Sequence, residues 1–312
     1  MKVYQYTDQL PYFKNAVVTI GTFDGVHQGH RQIINHLKEV AAEASGETVI
    51  VTFHPHPRSV LQNKEIQLIN TIDERVGLLD KAGIDHLVIV PFTDVFSQLT
   101  AEQYVEHFLI EHFHPHTIVI GYDHRFGHGR QGDYRMLEAY AAKGVFYLHE
   151  IPEHIINNNT VSSTRIRKAI LQGHIEEANR LLGYPFFFSG KVVHGKKLGR
   201  DLGYPTANLE LAQSAKIIPA DGIYAVTASI GNISTQYKGM MSIGIRPTIG
   251  GTARTIEVNL FDFDGDLYDL HLRVKVHAYL RPEEKFKDLP SLTAQIDQDK
   301  IDALNALSSI AI

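Results

Sequence analysis

The sequence predicts an α/β domain built on a parallel sheet, followed by an antiparallel β-barrel with a C-terminal helix. Two observations predict it. Through residue 182, short β-branched apolar runs alternate with amphipathic helical stretches, the pattern of parallel strands joined by crossover helices. From Tyr184 the hydrophobic period falls to two, punctuated by Gly, Pro and Asp, with no long helix until the chain's end. The expected domains are therefore 1–182 and 183–312.

The first strand is 16–20, AVVTI, which runs into a Gly-rich loop and a helix over about 29–43. Further strands are expected at 48–53, 86–92, 117–121 and 145–150, separated by helices over 73–82, 101–111 and 133–143. Two short helices, 163–171 and 175–182, close this half, with Gly173 between them and Gly183 ending the second. The second half reads as strands in FFFSGKVV, GIYAVTASI, YKGMMSIG, ARTIEVNLFDF and YDLHLRVKVHAYL. A hairpin turn is expected at Asp264-Gly265. A final helix over 292–308 carries apolar Leu292, Ile296, Ile301, Leu304 and Leu307.

Composition narrows the function classes. There is no cysteine, which excludes a disulfide scaffold, a thiolate zinc site and a cysteine nucleophile. The net charge is −5, and the acidic excess falls in the first half. Neither half has the basic excess of a nucleic-acid binder. The segment MKVYQYTDQLPYF has no apolar h-region, and no apolar run reaches membrane-spanning length, so a cytoplasmic protein without a membrane partner is expected.

The loop GTFDGVHQGH, Gly21–His30, follows a strand and opens a helix. That places free backbone N–H groups and the positive helix end where a phosphate could bind. His27 and His30 are three apart, so both can face one ligand. SSTRIR, 162–167, offers hydroxyls at a second helix start, with Arg165 and Arg167 as phosphate donors. A literal G-x-G-x-x-G occurs at Gly127, Gly129 and Gly132, but too far past the strand's end for a dinucleotide fingerprint. Asp123 and Arg125 form a candidate polar pair at that strand's carboxyl end, and His54 and His56 follow another. The 18 histidines lack the H-x-x-x-H spacing of a helical metal site.

In the second half, GKVVHGK matches a P-loop only until Lys197, which stands where Ser or Thr is required. A basic flap remains, with Lys196, Lys197 and Arg200. In Pro205-Thr206-Ala207-Asn208, Thr206 and Asn208 point the same way along an extended chain. Their neutral oxygens suit a Mg²⁺ already held by nucleotide phosphates. Glu257 shares a strand face with Asn259 and is either a solvated glutamate or a candidate general base.

Taken with PADGIYAV, SIGIRPT, TIEVNLFDFDGDLY and LRPEEKF, these motifs resemble, nearly end to end, the bifunctional prokaryotic riboflavin kinase/FMN adenylyltransferase family, or FAD synthetases. The resemblance implies a nucleotidylyltransferase-like first domain that adenylylates FMN, and a riboflavin kinase-like barrel. ATP would be the co-substrate, with Mg²⁺; riboflavin, FMN and FAD would be substrates and products. It implies that Gly21, Phe23, His27, His30, Ser163, Thr164 and Arg167 bind ATP for adenylylation, and that Asp123, Arg125 and His56 lie in the flavin region. In the kinase, Lys196, Thr206 and Asn208 would bind Mg–ATP, Glu257 would be the base, and Arg281 and Glu283 would lie near riboflavin. His124 replaces the usual Phe of G-x-D-F-R-F-G. An NAD-dependent oxidoreductase and a non-catalytic flavin-binding regulator are the competing readings.

Overall fold

The computed structural model describes every residue except 6–9, 64, 122, 152–160, 196–198, 200–201, 232–234, 249–250 and 311–312. Its compact units are Met1–Ser163 and Thr164–Ile312.

The first unit holds a six-stranded parallel sheet. Its strands are β1 (Lys2–Gln5), β2 (Val17–Ile20), β3 (Thr48–His54), β4 (His86–Pro91), β5 (Thr117–Gly121) and β6 (Tyr147–Ile151), in the order β1-β4-β3-β2-β5-β6. Four of the five expected strands match closely, and the fifth is shifted to Tyr147–Ile151. β1 was not expected. It is a four-residue edge strand, largely exposed, with no apolar run to announce it.

Helices cover both faces. On one side α1 (Gln28–Glu43) and α2 (Ile72–Lys81) bury Ile34, Leu37 and Leu79 against Val17, Ile50 and Leu87. On the other, Tyr104 and Phe108 of α3 and Leu137 of α4 (Tyr134–Ala142) meet Val18, Val49, Val51 and Val88. α3 runs through Ala101–Gln103, a π-helical stretch Tyr104–Ile110 and Glu111–Phe113. The chain leaves β2 for β3 on one side and reaches β5 on the other. The loop after β2 therefore lies at the switch point, where such sheets bind ligands.

The second unit opens with α5 (Ser163–Leu171, from its second residue) and α6 (Ile175–Leu182). A closed barrel follows: β7 (Phe186–Val193), β8 (Ala207–Glu210), β9 (Gly222–Ile230), β10 (Gln236–Thr248), β11 (Gly251–Leu260) and β12 (His271–Arg281), in the order β10-β11-β8-β7-β12-β9. The hairpin expected at Asp264-Gly265 does not form. β11 pairs with β10 and β8, while β12 pairs with β7 and β9, so residues 261–270 connect strands that are not partners. The last helix, α7 (Leu289–Ala306), starts earlier than expected because Asp288 caps it and Pro290 fits its first turn. Ala303 and Leu307 are buried with Met240 and Phe261, whereas Ile301 and Leu304 are exposed.

The expected boundary at 182–185 falls inside the second unit. α6 buries Ile175, Ala178, Leu181 and Leu182. Asn179 donates to the Val276 carbonyl at 2.9 Å and accepts from the Phe186 N–H at 2.6 Å, which ties the helix to β12 and β7. A fragment beginning at residue 183 should therefore be less stable than one beginning at 164. Loss of three large buried side chains at about 1.5–3 kcal/mol each should lower its thermal midpoint by roughly 10 °C or more. Calorimetry of the two fragments, 164–312 and 183–312, measures the difference.

Candidate functional site

The first site forms where buried β2 ends. Gly21 donates to the Val51 carbonyl at 3.0 Å, extending the sheet by one bond. The chain then turns through Phe23, Gly25 and Val26, all at positive φ. Phe23 and Val26 are buried, so their side chains anchor the loop from below. A Cβ on Gly21 would sit 3.0 Å from the Phe23 ring. Phe23 thus acts as the floor of the loop.

His27 caps α1: its Nδ1 accepts from the His30 N–H at 3.3 Å. The two imidazoles stack with centroids 3.6 Å apart. A Cβ at Gly29 would lie 3.3 Å from His27 Nδ1. The first turn of α1 carries no acidic residue, so its positive end remains suited to an anion. His30 is half-buried, and its Nδ1 has no hydrogen-bond partner among the described residues. Burial, His27 and Arg75 hold its pKa well below the ordinary histidine value.

Asp24, fully buried, organises the loop. Its carboxylate accepts from the N–H groups of Ile69 at 3.2 Å and Asn70 at 3.1 Å. Oγ of Ser163, the last residue of the first unit, donates to the Asp24 carbonyl at 2.8 Å. Thr164 and Arg167 follow on α5, in the second unit. Arg165 forks onto Glu177 of α6 and serves helix packing.

The flavin-region candidates His56, Asp123 and Arg125 lie past the carboxyl ends of β3 and β5. His56 is buried and caps a short helical turn, Pro57–Leu61, accepting from Arg58 N–H at 3.1 Å. Asp123 is exposed, and Arg125 pairs with Asp133 at 2.9 Å, not with Asp123. Asp133 caps α4, so this pair belongs to the helix start. His124, between them, has a buried Nε2 with no partner among the described residues. Burial lowers its pKa to about 4, opposed by Asp123 and aided by Arg130. Gly127 packs against Ala101, and Gly132 against the Phe126 ring, so these glycines shape a loop.

The second site lies on the barrel. Register places Glu257 opposite Ser242 on β10 and opposite Asn208 on β8. Thr206 Oγ1 donates to Glu257 Oε2 at 3.2 Å. Asn259 donates to the Pro205 carbonyl at 2.7 Å, fixing the turn that presents Thr206. The Asn208 amide lies against Gly195, where a Cβ would be 2.2 Å from Nδ2. Thr206 also lines a cavity of about 670 Å³ with Val192, Ala207, Val258, Phe263 and Tyr268. Glu257 is half-buried. Glu283 lies over Gly244 and accepts from Ser242 Oγ at 3.4 Å, on the strand face that Glu257 shares. Arg281 forks onto Asp299 at 2.7 Å and secures α7. Lys196, with Lys197 and Arg200, lies outside the described residues.

Comparison with known proteins is decisive. Residues 10–165 match the family model described as FAD synthetase, and 182–307 the one described as riboflavin kinase. The chain belongs to the bifunctional riboflavin kinase/FMN adenylyltransferase family. Relatives of that name include one from Listeria monocytogenes, 36% identical over 92% of this chain and 91% of the relative. Another, from Escherichia coli K12, is 34% identical over 93% and 92%. A third, from Bacillus subtilis, is 34% identical over 95% and 93%. A crystal structure described as a macrolide-efflux protein from Streptococcus pneumoniae superposes with a TM-score of 0.86 at 31% identity, covering 97% of this chain and 99% of that one. Efflux is said of that protein alone. Among the described residues of this chain, no helix is long and apolar enough to cross a membrane.

The enzyme is thus a riboflavin kinase and FMN adenylyltransferase with riboflavin, FMN and ATP as its small-molecule substrates. Sequence reading singled out His27, His30, Ser163, Thr206 and Glu257 as candidates and did not single out Asp24, whose carboxylate accepts from Ile69 and Asn70. Asp24 lay within the quoted loop motif, but its buried partners Ile69 and Asn70 are some 45 positions away in sequence.

The buried histidines predict a pH dependence. His277, bonded to Thr227 Oγ1 at 2.9 Å, is also lowered to about 4 by burial, aided by Lys275. Both folded-state values lie below the unfolded value of about 6.5. Their contribution to stability is full above that value and is lost as pH falls through about 4. Urea unfolding should therefore show weaker folding at about pH 5 than at about pH 7, and His124→Phe should reduce that difference.

Proposed function

We propose that the two reactions divide between the sites by the chemistry each needs. At the first, the FMN phosphate arrives already ionised. One of its oxygens attacks the α-phosphorus of ATP, the bond to the β-phosphate bridging oxygen breaks, and pyrophosphate leaves with the electron pair. No enzyme base or nucleophile is required; positioning and charge stabilisation are. The supporting observation is an uncompensated helix start carrying stacked His27 and His30, with Ser163 bonded into the same loop. The His30 side chain at the start of α1 holds phosphate oxygens, while Phe23 keeps the loop's shape. Thr164 and Arg167 are assigned to the triphosphate on sequence resemblance alone. Asp123 remains a flavin-side candidate; His56 caps the Pro57–Leu61 turn and Arg125 pairs with Asp133.

At the second site the nucleophile is a neutral 5′-hydroxyl. Glu257 takes its proton as the hydroxyl oxygen attacks the γ-phosphorus, and ADP leaves with the electrons of the broken bond. Thr206 orients the Glu257 carboxylate. The oxygens of Thr206 and Asn208 fit a Mg²⁺ carried in on nucleotide phosphates, since they are neutral and lie beside a carboxylate. When bound, that ion neutralises phosphate charge. Glu283, near Ser242, contacts riboflavin; Arg281 positions α7; Lys196 is assigned to ATP on sequence resemblance alone. The working location is the cytoplasm, where these substrates are made and used.

Chromatography of products from riboflavin, ATP and Mg²⁺ tests the whole reading: FMN and then FAD should accumulate. His30→Ala should lower FAD formation from supplied FMN about 10²–10³-fold, with riboflavin phosphorylation unchanged. Glu257→Gln should do the reverse, lowering kinase turnover about 10²–10⁴-fold and sparing FAD formation. Equal loss of both activities in either variant would contradict the division.

A further inference from the structure

Arg75 projects from α2 into the first unit and is 2% exposed, the bulkiest of the fully buried side chains. Its Nη1 donates to Thr52 Oγ1 at 3.2 Å. Thr52 Oγ1 in turn donates to the carbonyl of Thr22, inside the phosphate loop, at 3.2 Å. The Nε of Arg75 is buried and has no hydrogen-bond partner among the described residues. Asp24 is the anion whose field reaches the guanidinium, while its carboxylate also accepts from Ile69 and Asn70. His30 and His54 both lie within the field of Arg75.

A buried, incompletely paired guanidinium is a costly way to fill space. An apolar side chain of similar volume would be neutral or stabilising in an ordinary core. What the cation adds is a fixed positive potential, little screened by water, directly behind the loop. Adenylyl transfer builds negative charge on the departing pyrophosphate, and a preorganised cation favours that charge without reorganising.

We infer that Arg75 is a positioning residue for adenylyl transfer: it fixes the phosphate loop through Thr52 and Thr22 and supplies buried positive charge behind the triphosphate. The inference rests on assigning that reaction to the loop of His27 and His30. Arg75 acts through the loop and need not touch ATP.

The test uses the full chain with supplied FMN and varied ATP. Arg75→Met should raise KM for ATP and lower kcat for FAD formation, each by about 10-fold or more. Arg75→Lys, which restores charge without the fork, should recover part of the loss. Riboflavin phosphorylation in the same samples should stay within about two-fold of wild type. A Met variant with wild-type kinetics, or with loss confined to the active fraction at unchanged KM, overturns the inference. So does a Lys variant no better than Met. If Arg75→Met does not fold, Thr52→Val removes only the bond to the loop. It should raise KM for ATP several-fold, and an unchanged KM there also overturns the inference. A wild-type chain that forms FMN but no FAD would instead overturn the underlying assignment.

Discussion

The first unit depends on one buried carboxylate. Asp24 accepts two backbone N–H groups from Ile69 and Asn70, and its own carbonyl takes the Ser163 hydroxyl. Three segments remote in sequence meet at this residue. Without it, two buried N–H groups would lack their partner, at about 1–3 kcal/mol each. The strained turn at Phe23, Gly25 and Val26 is sustained by this surrounding structure, as sparsely populated backbone conformations at functional sites commonly are.

The two sites solve the phosphate problem in different ways. The first places stacked imidazoles at a helix start, with no acidic residue in the first turn of α1. The second brings a carboxylate, Glu257, into contact with a hydroxyl that borders a cavity. The contrast follows from the nucleophiles. An ionised phosphate is repelled by a nearby carboxylate, whereas a neutral hydroxyl needs a proton acceptor. Asp24, the carboxylate at the first site, is buried and held by two backbone N–H groups, whereas Glu257 is half-buried beside Thr206.

What could be read from the sequence was what is local. The His27–His30 loop carries its strand, its turn and its helix within a few residues, so its form is visible from spacing. The parallel sheet and the barrel were legible from the change of hydrophobic period. The meeting of Thr206 and Glu257 is not local; it comes from the register of β11 against β8. Their candidacy came from the motifs, but their contact did not. Arg75 was hidden because Thr71 to Lys81 reads as a well-capped amphipathic helix, in which an arginine is ordinarily on the water side. The hairpin at Asp264-Gly265 failed for a related reason: a turn dipeptide says that the chain bends, not which strand it will pair with afterwards. The pairing of Arg125 with Asp133 was not legible because the two lie across a loop closed by the Phe126–Gly132 bridge.

The closure of the barrel has a consequence for how the chain fails. All six of its strands have neighbours on both sides, so a folded second unit offers no unpaired strand to another molecule. The six-stranded sheet ends at β1 and β6, each paired on one side only within the sheet. β1 is four residues long and begins with Lys2, both of which discourage pairing with a foreign strand. β6 is longer and presents Tyr147 to solvent. Self-association of the folded chain through strand addition would therefore begin at β6, in the adenylylating half, and FAD formation would decline in an aging sample before FMN formation does.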